Sequence, residues 1–386
     1  MVAARHAGVD LTVASELPST LEAPNPAALV TLDFSDLDRA VRQARDLARE
    51  YPIAAAMGVD DDTVVIATAI NEGLGAATNP LSGAVAARDK WVQRQTVSQA
   101  GVHVPSCALH RLDEPAAARD AGIRYPCVIK PLRLSASRGV IRADDAVSFV
   151  AAHRRLRTIV ESCGEEAGQY LVEDFVPGYE VALEGLLVGG RLIVLALFDK
   201  PDPLDGPFFE ETIYVTPSRH PAHEQQALVD CARAAASAIG LHEGPIHAEL
   251  RWNDRGPWLI ELAARSIGGR CSAVLRFGDG TVSLEEILLR QAAGLPLPSL
   301  EREAAAAGVM MIPVPGAGRL VEVQGIADAR AVPGIVDVVI TAHRGQELVP
   351  WPEGSRYPGF IFARAASVVA VEPALREAHR RLHFVF

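Results

Sequence analysis

The sequence is poor in cysteine and in positive charge, and both shortages exclude classes of function. Five cysteines stand singly among 386 residues, with no CxxC or CxxH spacing. Cysteines scattered in this way indicate neither a zinc site nor a redox pair, so we expect reduced thiols in a cytoplasmic protein. Lysine and arginine number 37 against 48 acidic residues, giving a net charge of -11. This charge disfavours nonspecific binding to nucleic acid or to an anionic membrane and favours a small-molecule ligand.

Long apolar runs are missing as well. No run approaches the roughly 20 residues that are needed to span a bilayer. The first residues include Arg5, His6 and Asp10, which is not typical of a signal peptide. We therefore expect no membrane association. With 49% hydrophobic residues in 386, the chain is nevertheless long enough for two or three globular domains.

What the sequence does contain is a pair of glutamates in two neighbouring apolar runs. Glu249 lies in IHAEL and Glu261 in PWLIEL, and the turn-forming segment 253–256 joins the two runs. This pattern predicts a β-hairpin that brings both acids together in a largely buried sheet, where an unpaired carboxylate is costly. Two hard oxygen ligands suit Mg²⁺, whose coordination substrate phosphates would complete. The alternative is a hairpin whose acids face solvent, and the spacing alone fits both.

A second feature is the apolar run YPCVIK, which ends in Lys130 and leads into a loop of small residues, Leu132 to Gly139. Small residues let backbone N–H groups approach phosphate oxygens closely. The loop lacks the GxxxxGK[ST] pattern of a Walker motif. The run and the loop together indicate a phosphate-binding element, the alternative being that Lys130 is a solvated lysine at a strand end.

The distribution of strands and helices divides the chain into three regions. Alternating strands and helices in residues 1–85 predict a parallel, doubly wound α/β domain. The run Val9 to Ser15 would normally be the second strand of such a unit, so we expect its sheet to lack a first strand. Residues 301–386 contain the short runs VMMIPV, GRLVEV, VDVVIT and ASVVAV and a terminal helix from about Pro373 to Leu382. This last region is predicted to be an α+β domain.

Taken in order, these motifs resemble those of the ATP-grasp superfamily and, within it, the L-amino acid ligases that join amino acids into dipeptides. The resemblance covers nearly the whole chain and implies an α/β and α+β architecture: an N-terminal pre-ATP-grasp domain (1–85), a two-lobed ATP-grasp domain (86–300) with a hinge near 173–176, and a C-terminal domain (301–386). It implies ATP and Mg²⁺, or Mn²⁺ in its place, as cofactors. Carboxylate and amine substrates would react through an acyl-phosphate, and a homodimer is compatible with the family.

The resemblance also implies which residues bind the nucleotide. The two lysines and the small-residue loop would contact phosphates, the EDFV hinge would bind the adenine edge through its backbone, and Glu180 would bind the ribose hydroxyls. The nucleotide-binding residues implied in this way are Lys90, Lys130, Ser135, Ser137, Gly139, Glu173, Asp174, Phe175, Val176 and Glu180.

The remaining site residues implied by the resemblance surround the reacting groups. Glu249 and Glu261 match the two metal ligands, but the superfamily pattern E-x-N-x-R is E-x-A-x-R here, so Ala263 replaces a third ligand. Arg265 matches the arginine that stabilises the acyl-phosphate and its tetrahedral successor. Gly268 and Gly269 would offer backbone N–H groups to the same oxyanion.

Two further basic residues are implied near the reacting phosphate, Lys200 beside the γ-phosphate and His247 two residues before the first metal ligand. A buried structural histidine is the alternative for His247. Two alternatives to an amino acid ligase remain open at this point. One is another ATP-grasp ligase or carboxylase of nucleotide metabolism, and the other is a nucleotide-binding module without turnover. The two substrates are not identified by the sequence.

Overall fold

The N-terminal part of the computed structural model contains four helices and a small parallel sheet. The structure describes residues 2–16, 29–116, 122–163 and 168–386. The N-terminal elements are α1 (Val2–Ala7), β1 (Val13–Ser15), β2 (Leu29–Thr31), α2 (Leu37–Glu50), α3 (Asp61–Leu74) and α4 (Leu81–Arg88). Strands β1 and β2 pair in parallel, as predicted, and they form a two-stranded sheet in the described part of the chain. A capping box between Asp60 and Thr63 starts α3 and so fixes where that helix begins.

A four-stranded antiparallel sheet forms the lobe that follows the N-terminal part. Its elements are α5 (Lys90–Gln99), β3 (Cys107–Arg111), β4 (Cys127–Pro131), β5 (Ile141–Ala143), α6 (Ala146–Ser162) and β6 (Gln169–Asp174), with the strand order β3-β6-β4-β5. Helix α6 covers the sheet with the fully buried Phe149 and Leu156. Strand β6 ends at Asp174 and leads directly into the segment that connects this sheet to the next one. That the EDFV segment acts as a hinge stays a prediction.

An eight-stranded sheet forms the centre of the molecule. Its strand order is β11-β10-β7-β8-β9-β12-β17-β15. The strands are β7 (Tyr179–Val188), β8 (Arg191–Lys200), β9 (Ile213–Thr216), β10 (Gly244–Asn253), β11 (Gly256–Ala263), β12 (Ala306–Met311), β15 (Ile335–Ile340) and β17 (Gly359–Ala365). Helix α7 (Ala222–Ala238) packs its Leu228 and Ala232 into one core, and α8 (Leu284–Ala292) packs Leu284 and Ile287 into another. None of the described helices is long and apolar enough to cross a membrane.

The C-terminal region mixes helices and strands, as predicted, but it continues the central sheet through β12, β17 and β15. Its other elements are β13 (Gly318–Arg319), β14 (Glu322–Gln324), α9 (Ile326–Arg330), β16 (Glu347–Leu348), α10 (Val368–Arg380) and β18 (His383–Val385). The strand predicted at ASVVAV is wrong, because this run enters α10, which begins five residues before the predicted helix start at Pro373. The β-branched valines favour a strand, yet Val371, Leu375 and Ala378 recur at helical spacing and all three are buried.

Candidate active site

The two glutamates of the predicted hairpin face each other. Strands β10 and β11 pair antiparallel, with Glu249 directly opposite Glu261 and a bulge just after Glu249. Both side chains keep part of their surface exposed, 21% for Glu249 and 29% for Glu261. They line a cavity of ≈ 320 Å³ between the two lobes. The hairpin is therefore as predicted, and its acids face a cavity rather than the outer surface.

Most of the residues implied by the family resemblance converge on this cavity. Gly139 and Lys200 are the two that lie outside its lining. The predicted site residues that line it are Lys90, Lys130, Ser135, Ser137, Glu173, Asp174, Phe175, Val176, Glu180, His247, Glu249, Glu261, Arg265, Gly268 and Gly269. These residues come from both lobes, so the fold brings together segments that are more than 150 positions apart in the sequence.

Lys200 lies just behind the cavity, at the centre of a buried cluster of carboxylates. Its Nζ is 2.7 Å from Glu180 Oε1 and 3.2 Å from Glu249 Oε1, and it also contacts Glu211. Burial opposes the charge of Lys200, but the three acids raise its pKa well above the ordinary value. Burial also raises the pKa of Glu211, to about 7. The predicted γ-phosphate lysine is therefore held by acids in this structure.

A second buried ion cluster joins Lys130 to the last residues of β6. Its Nζ is 2.5 Å from Glu173 Oε2, while Arg94 Nε donates to Glu173 Oε1 at 2.7 Å. Burial would raise the pKa of Glu173, but the two cations hold it below its ordinary value. Burial also lowers the pKa of Lys130. The family resemblance emphasised the backbone of the hinge, but the Glu173 side chain also holds Lys130 in place.

Lys90 and the phosphate loop, residues 134–139, lie on the same side of the cavity. Lys90 Nζ is 3.1 Å from Glu261 Oε1 and donates to the Leu134 carbonyl at 3.0 Å. The loop itself is held in an unusual conformation, because Ala136 and Ser137 have φ of 56° and 54°. Left-handed backbone is unfavourable for residues with a Cβ atom, so neighbouring contacts must hold this loop.

Arg265 is held by a residue from the N-terminal region. Its Nε and Nη2 donate to the two carboxylate oxygens of Asp61 at 2.8 and 3.0 Å, a bidentate pair. Burial alone would lower the pKa of Arg265, but Asp61 raises it above the ordinary value. Asp61 is the first residue of α3 and lines the cavity. The N-terminal region therefore supplies a residue to the site.

His247 lines the cavity, and the fully buried Glu184 lies next to it on the adjacent strand β7. His247 Nδ1 is 3.9 Å from Glu184 Oε2, and His247 Nε2 is 3.7 Å from Glu249 Oε1. Burial lowers the pKa of His247 and raises that of Glu184 well above its ordinary value. Glu184 accepts a hydrogen bond from the Ile267 N–H at 2.9 Å, next to Gly268 and Gly269. This contact fixes the segment whose backbone N–H groups the family resemblance assigns to the oxyanion.

Among the residues of the site that sequence analysis missed are Arg251, Glu211 and Asp61. Arg251 Nε donates to Glu180 Oε2 at 2.8 Å. The sequence could have indicated this residue, because His247, Glu249 and Arg251 are two positions apart along β10 and so lie on the same face of the sheet. Glu211 follows a Pro/Gly-rich loop, and no sequence pattern there indicates a site residue. No pattern indicates Asp61 either, because its partner lies 204 residues away in the sequence.

The donor set at the hairpin fits a divalent metal. Carboxylate oxygens are the ligands that Mg²⁺ prefers, and Glu249 and Glu261 present them from opposed positions. Oxygen atoms of Glu180, Glu211 and Glu249 also lie within 4.8 Å of one another. Glu249 belongs to both groups and is the acid best placed for a metal. Ala263 is buried opposite His247 and supplies no ligand.

Comparison with known proteins gives two domain matches. Residues 123–274 match the ATP-grasp domain family, and residues 310–386 match L-amino acid ligase C-terminal domain 2. The L-amino acid ligase from Bacillus licheniformis has a similar structure, with a TM-score of 0.85 and 26% identity over 100% of this chain and 95% of that one. The chain thus contains an ATP-grasp domain and an L-amino acid ligase C-terminal domain, and its overall structure is similar to that of an L-amino acid ligase.

Curated relatives of this chain include proteins that are named as a ligase and a synthase. It is 27% identical to alanine–anticapsin ligase of Bacillus subtilis over 51% of this chain and 45% of that protein. It is 23% identical to dapdiamide A synthase of Enterobacter agglomerans over 66% of this chain and 60% of that protein. The matches thus span about half the length of these relatives. An ATP-grasp domain implies that the chain binds ATP.

Proposed function

We propose that this chain is an ATP-dependent carboxylate–amine ligase that joins two amino acids, or molecules like them, through an acyl-phosphate. The observation that carries the proposal is the convergence on one cavity of the opposed acids Glu249 and Glu261 with Lys90, Lys130 and Arg265. The cations suit an anionic nucleotide and the acids suit its metal. The similarity to named amino acid ligases supports the same reaction class.

In the proposed reaction a substrate carboxylate attacks the γ-phosphorus of ATP, and ADP leaves. The amine of the second substrate then attacks the acyl carbon, and phosphate leaves as the amide forms with release of a proton. Lys90, Lys130 and the phosphate loop hold the nucleotide. Arg265 and the backbone of Gly268 and Gly269 offset the negative charge that develops on the transferred phosphoryl group and on the tetrahedral carbon.

Mg²⁺, or Mn²⁺ in its place, would be held by Glu249 and Glu261 and would neutralise phosphate oxygens when bound. Because Ala263 supplies no ligand, phosphate oxygens and water would complete the coordination. Lys200 contacts Glu249, and Lys90 contacts Glu261. Both lysines would add positive charge beside the phosphates. A cytoplasmic location and a homodimer stay predictions.

The reaction class is tested by measuring ADP release with all pairs of amino acids, followed by mass measurement of the product. We expect at least one pair to give ADP and phosphate with one amide per ATP. Bicarbonate and phosphoribosylamine in the same assay separate the carboxylases and the ligases of nucleotide synthesis. ATP binding without ADP release across a broad panel of carboxylates and amines would favour a nucleotide-binding module instead.

Glu261→Gln tests the metal assignment. We expect the variant to fold normally but to lose ATP-dependent phosphate release, because an amide is a poor substitute for an anionic ligand. Phosphate release and the thermal unfolding midpoint should be measured together over a range of Mg²⁺ concentrations. Glu377→Gln is a matched control, since Glu377 pairs with Arg380 at the end of α10 and with the next residue, Arg381. Near wild-type release from Glu261→Gln would contradict the assignment.

A further inference from the structure

The phosphate loop is bound on its outer side by one segment of the C-terminal region, residues 350–354, which we call the latch. The Trp351 indole N–H donates to the Ala136 carbonyl at 2.8 Å. The Gly139 N–H donates to the Pro352 carbonyl at 3.0 Å. Arg138 Nε donates to the Glu353 carbonyl at 2.9 Å. Three hydrogen bonds thus join a loop of six residues to a segment more than 200 positions later.

The latch is itself held in place by contacts of Glu353 and of Trp351. The Glu353 carboxylate forms a two-point pair with Arg155 of α6, and Arg155 Nη2 lies 2.8 Å from Glu353 Oε2. Trp351 is buried, and its ring lies 4.6 Å from the ring of Tyr357. Tyr357 lines the nucleotide cavity. The latch therefore connects the first lobe, the C-terminal region and the cavity wall.

The conformation of the phosphate loop shows why such contacts matter. Ala136 and Ser137 both hold left-handed backbone, and neither is glycine. Conformations of this kind persist where the surroundings over-determine them. The contact to Ala136 is made by Trp351, and the neighbouring residues Arg138 and Gly139 are held by the next two latch residues. Without the latch, the loop would relax to a more open form.

We propose that Trp351 and Glu353 are positioning residues that keep the phosphate loop closed over the nucleotide, so that the C-terminal region controls closure of the ATP site. The proposal rests on the proposed function in one respect, namely that the loop covers ATP during amide formation. A closed loop keeps water from the acyl-phosphate. Loss of the latch should therefore weaken ATP binding and let part of the ATP be hydrolysed without forming amide.

Trp351→Phe is the sharpest variant, because it keeps an aromatic ring beside Tyr357 and deletes the indole N–H. We expect KM for ATP to rise about three- to tenfold. The ratio of phosphate released to amide formed should rise above one. Trypsin should also cut after Arg138 faster than in the wild type, and a non-hydrolysable ATP analogue should protect the variant less. The cut is identified by fragment mass.

Two further variants make the test independent of how well Trp351→Phe folds. Glu353→Gln weakens the pair with Arg155 on a partly exposed side chain and leaves the Glu353 carbonyl in place. It should change the same readouts in the same direction, by a smaller factor. Trp258→Phe is the matched control, because the Trp258 indole N–H donates to Asn253, away from the loop. It should leave cleavage after Arg138 unchanged.

The outcomes separate the latch from the ligase reaction. Unchanged cleavage and unchanged nucleotide affinity in both Trp351→Phe and Glu353→Gln would overturn the latch, whatever amide is formed. Faster cleavage in these variants, with no amide from any substrate pair, would support the latch and count against the proposed reaction. Proteolysis and analogue binding need no turnover, so either result is decisive for the latch.

Discussion

At the scale of single residues, the site is dominated by buried charges that neutralise one another. Lys130 is paired with Glu173, and Lys200 is paired with three acids. An isolated buried ion is costly, whereas a paired one is tolerated. The charge of each lysine is thus neutralised by neighbouring acids. We expect nucleotide phosphates and a metal to rearrange these pairs rather than to fill an apolar pocket.

Asp61 should affect catalysis indirectly, because it holds the guanidinium group of Arg265 in place. Asp61→Asn removes the charge that orients the guanidinium, so kcat should fall by about 10- to 100-fold. KM for ATP should change little, because the phosphate lysines are untouched. Asp61→Glu should recover part of the activity. Steady-state kinetics for each substrate distinguish this pattern from general loss of structure.

Asp62→Asn is the control for that experiment. Asp62 is the next residue along α3 and pairs with Arg88 instead. The substitution has the same chemistry in the same helical turn, so it should leave kcat unchanged. If Asp61→Asn and Asp62→Asn lowered kcat equally, the start of α3 would affect activity only through stability, and the predicted role of Asp61 in orienting Arg265 would be wrong.

Glu184 predicts a pH dependence of stability. Its folded pKa is raised well above the ordinary 4.5 by burial, so the folded state keeps a proton that the unfolded state releases. The stability from this group is complete below the ordinary pKa and is lost as pH rises toward the folded pKa. Glu184→Gln keeps an acceptor for the Ile267 N–H and cannot ionise. Relative to wild type, the variant should therefore gain stability at higher pH.

The measurement is urea unfolding of both proteins at about pH 5 and about pH 8. The difference in unfolding free energy, variant minus wild type, should increase between these pH values by on the order of 1 kcal/mol. A difference that is flat with pH would show that Glu184 ionises normally in the folded protein.

At the scale of elements, the sequence predicted those parts of the site that local pattern encodes. Apolar alternation and the turn at 253–256 were enough to predict a hairpin that brings Glu249 and Glu261 together, and the structure adds that the two lie directly opposite each other. The same kind of pattern identified the strand that ends at Lys130 and the loop after it. These features depend on neighbours within about a dozen residues, which a single sequence shows directly.

The missed contacts depend on strand order, which hydrophobic pattern does not encode. Glu180 and Lys200 meet Glu249 because β7 lies between β8 and β10 in the central sheet. Arg265 meets Asp61 because α3 packs near the end of β11, from a different region of the chain. The error at ASVVAV has another cause, since β-branched composition there outweighed a helical spacing of buried residues.

At the scale of the whole molecule, the three regions are joined by a continuous sheet, by a shared hydrophobic core and by side-chain contacts at the site. The central sheet continues from the ATP-grasp lobe into the C-terminal region where β9 pairs with β12. One hydrophobic core contains Phe198 of β8, Leu284 of α8 and Phe362 of β17. The phosphate loop is held by the latch, and Arg265 is held by α3. A region that supplies strands and contacts to the site is part of the catalytic unit.

This continuity predicts that the chain cut after residue 300 cannot fold alone. The cut removes β12, whose six residues are all buried, and exposes the edge of β9 together with the part of a core that packs against Ala307, Val309, Met311 and Phe362. An exposed apolar edge strand favours aggregation. We expect residues 1–300 to be insoluble or to unfold without a cooperative transition, and co-expression with residues 301–386 to restore solubility and ATP-analogue binding in part. A soluble 1–300 fragment that unfolds cooperatively and binds the analogue as well as the full chain would show instead that the C-terminal region is a separable domain.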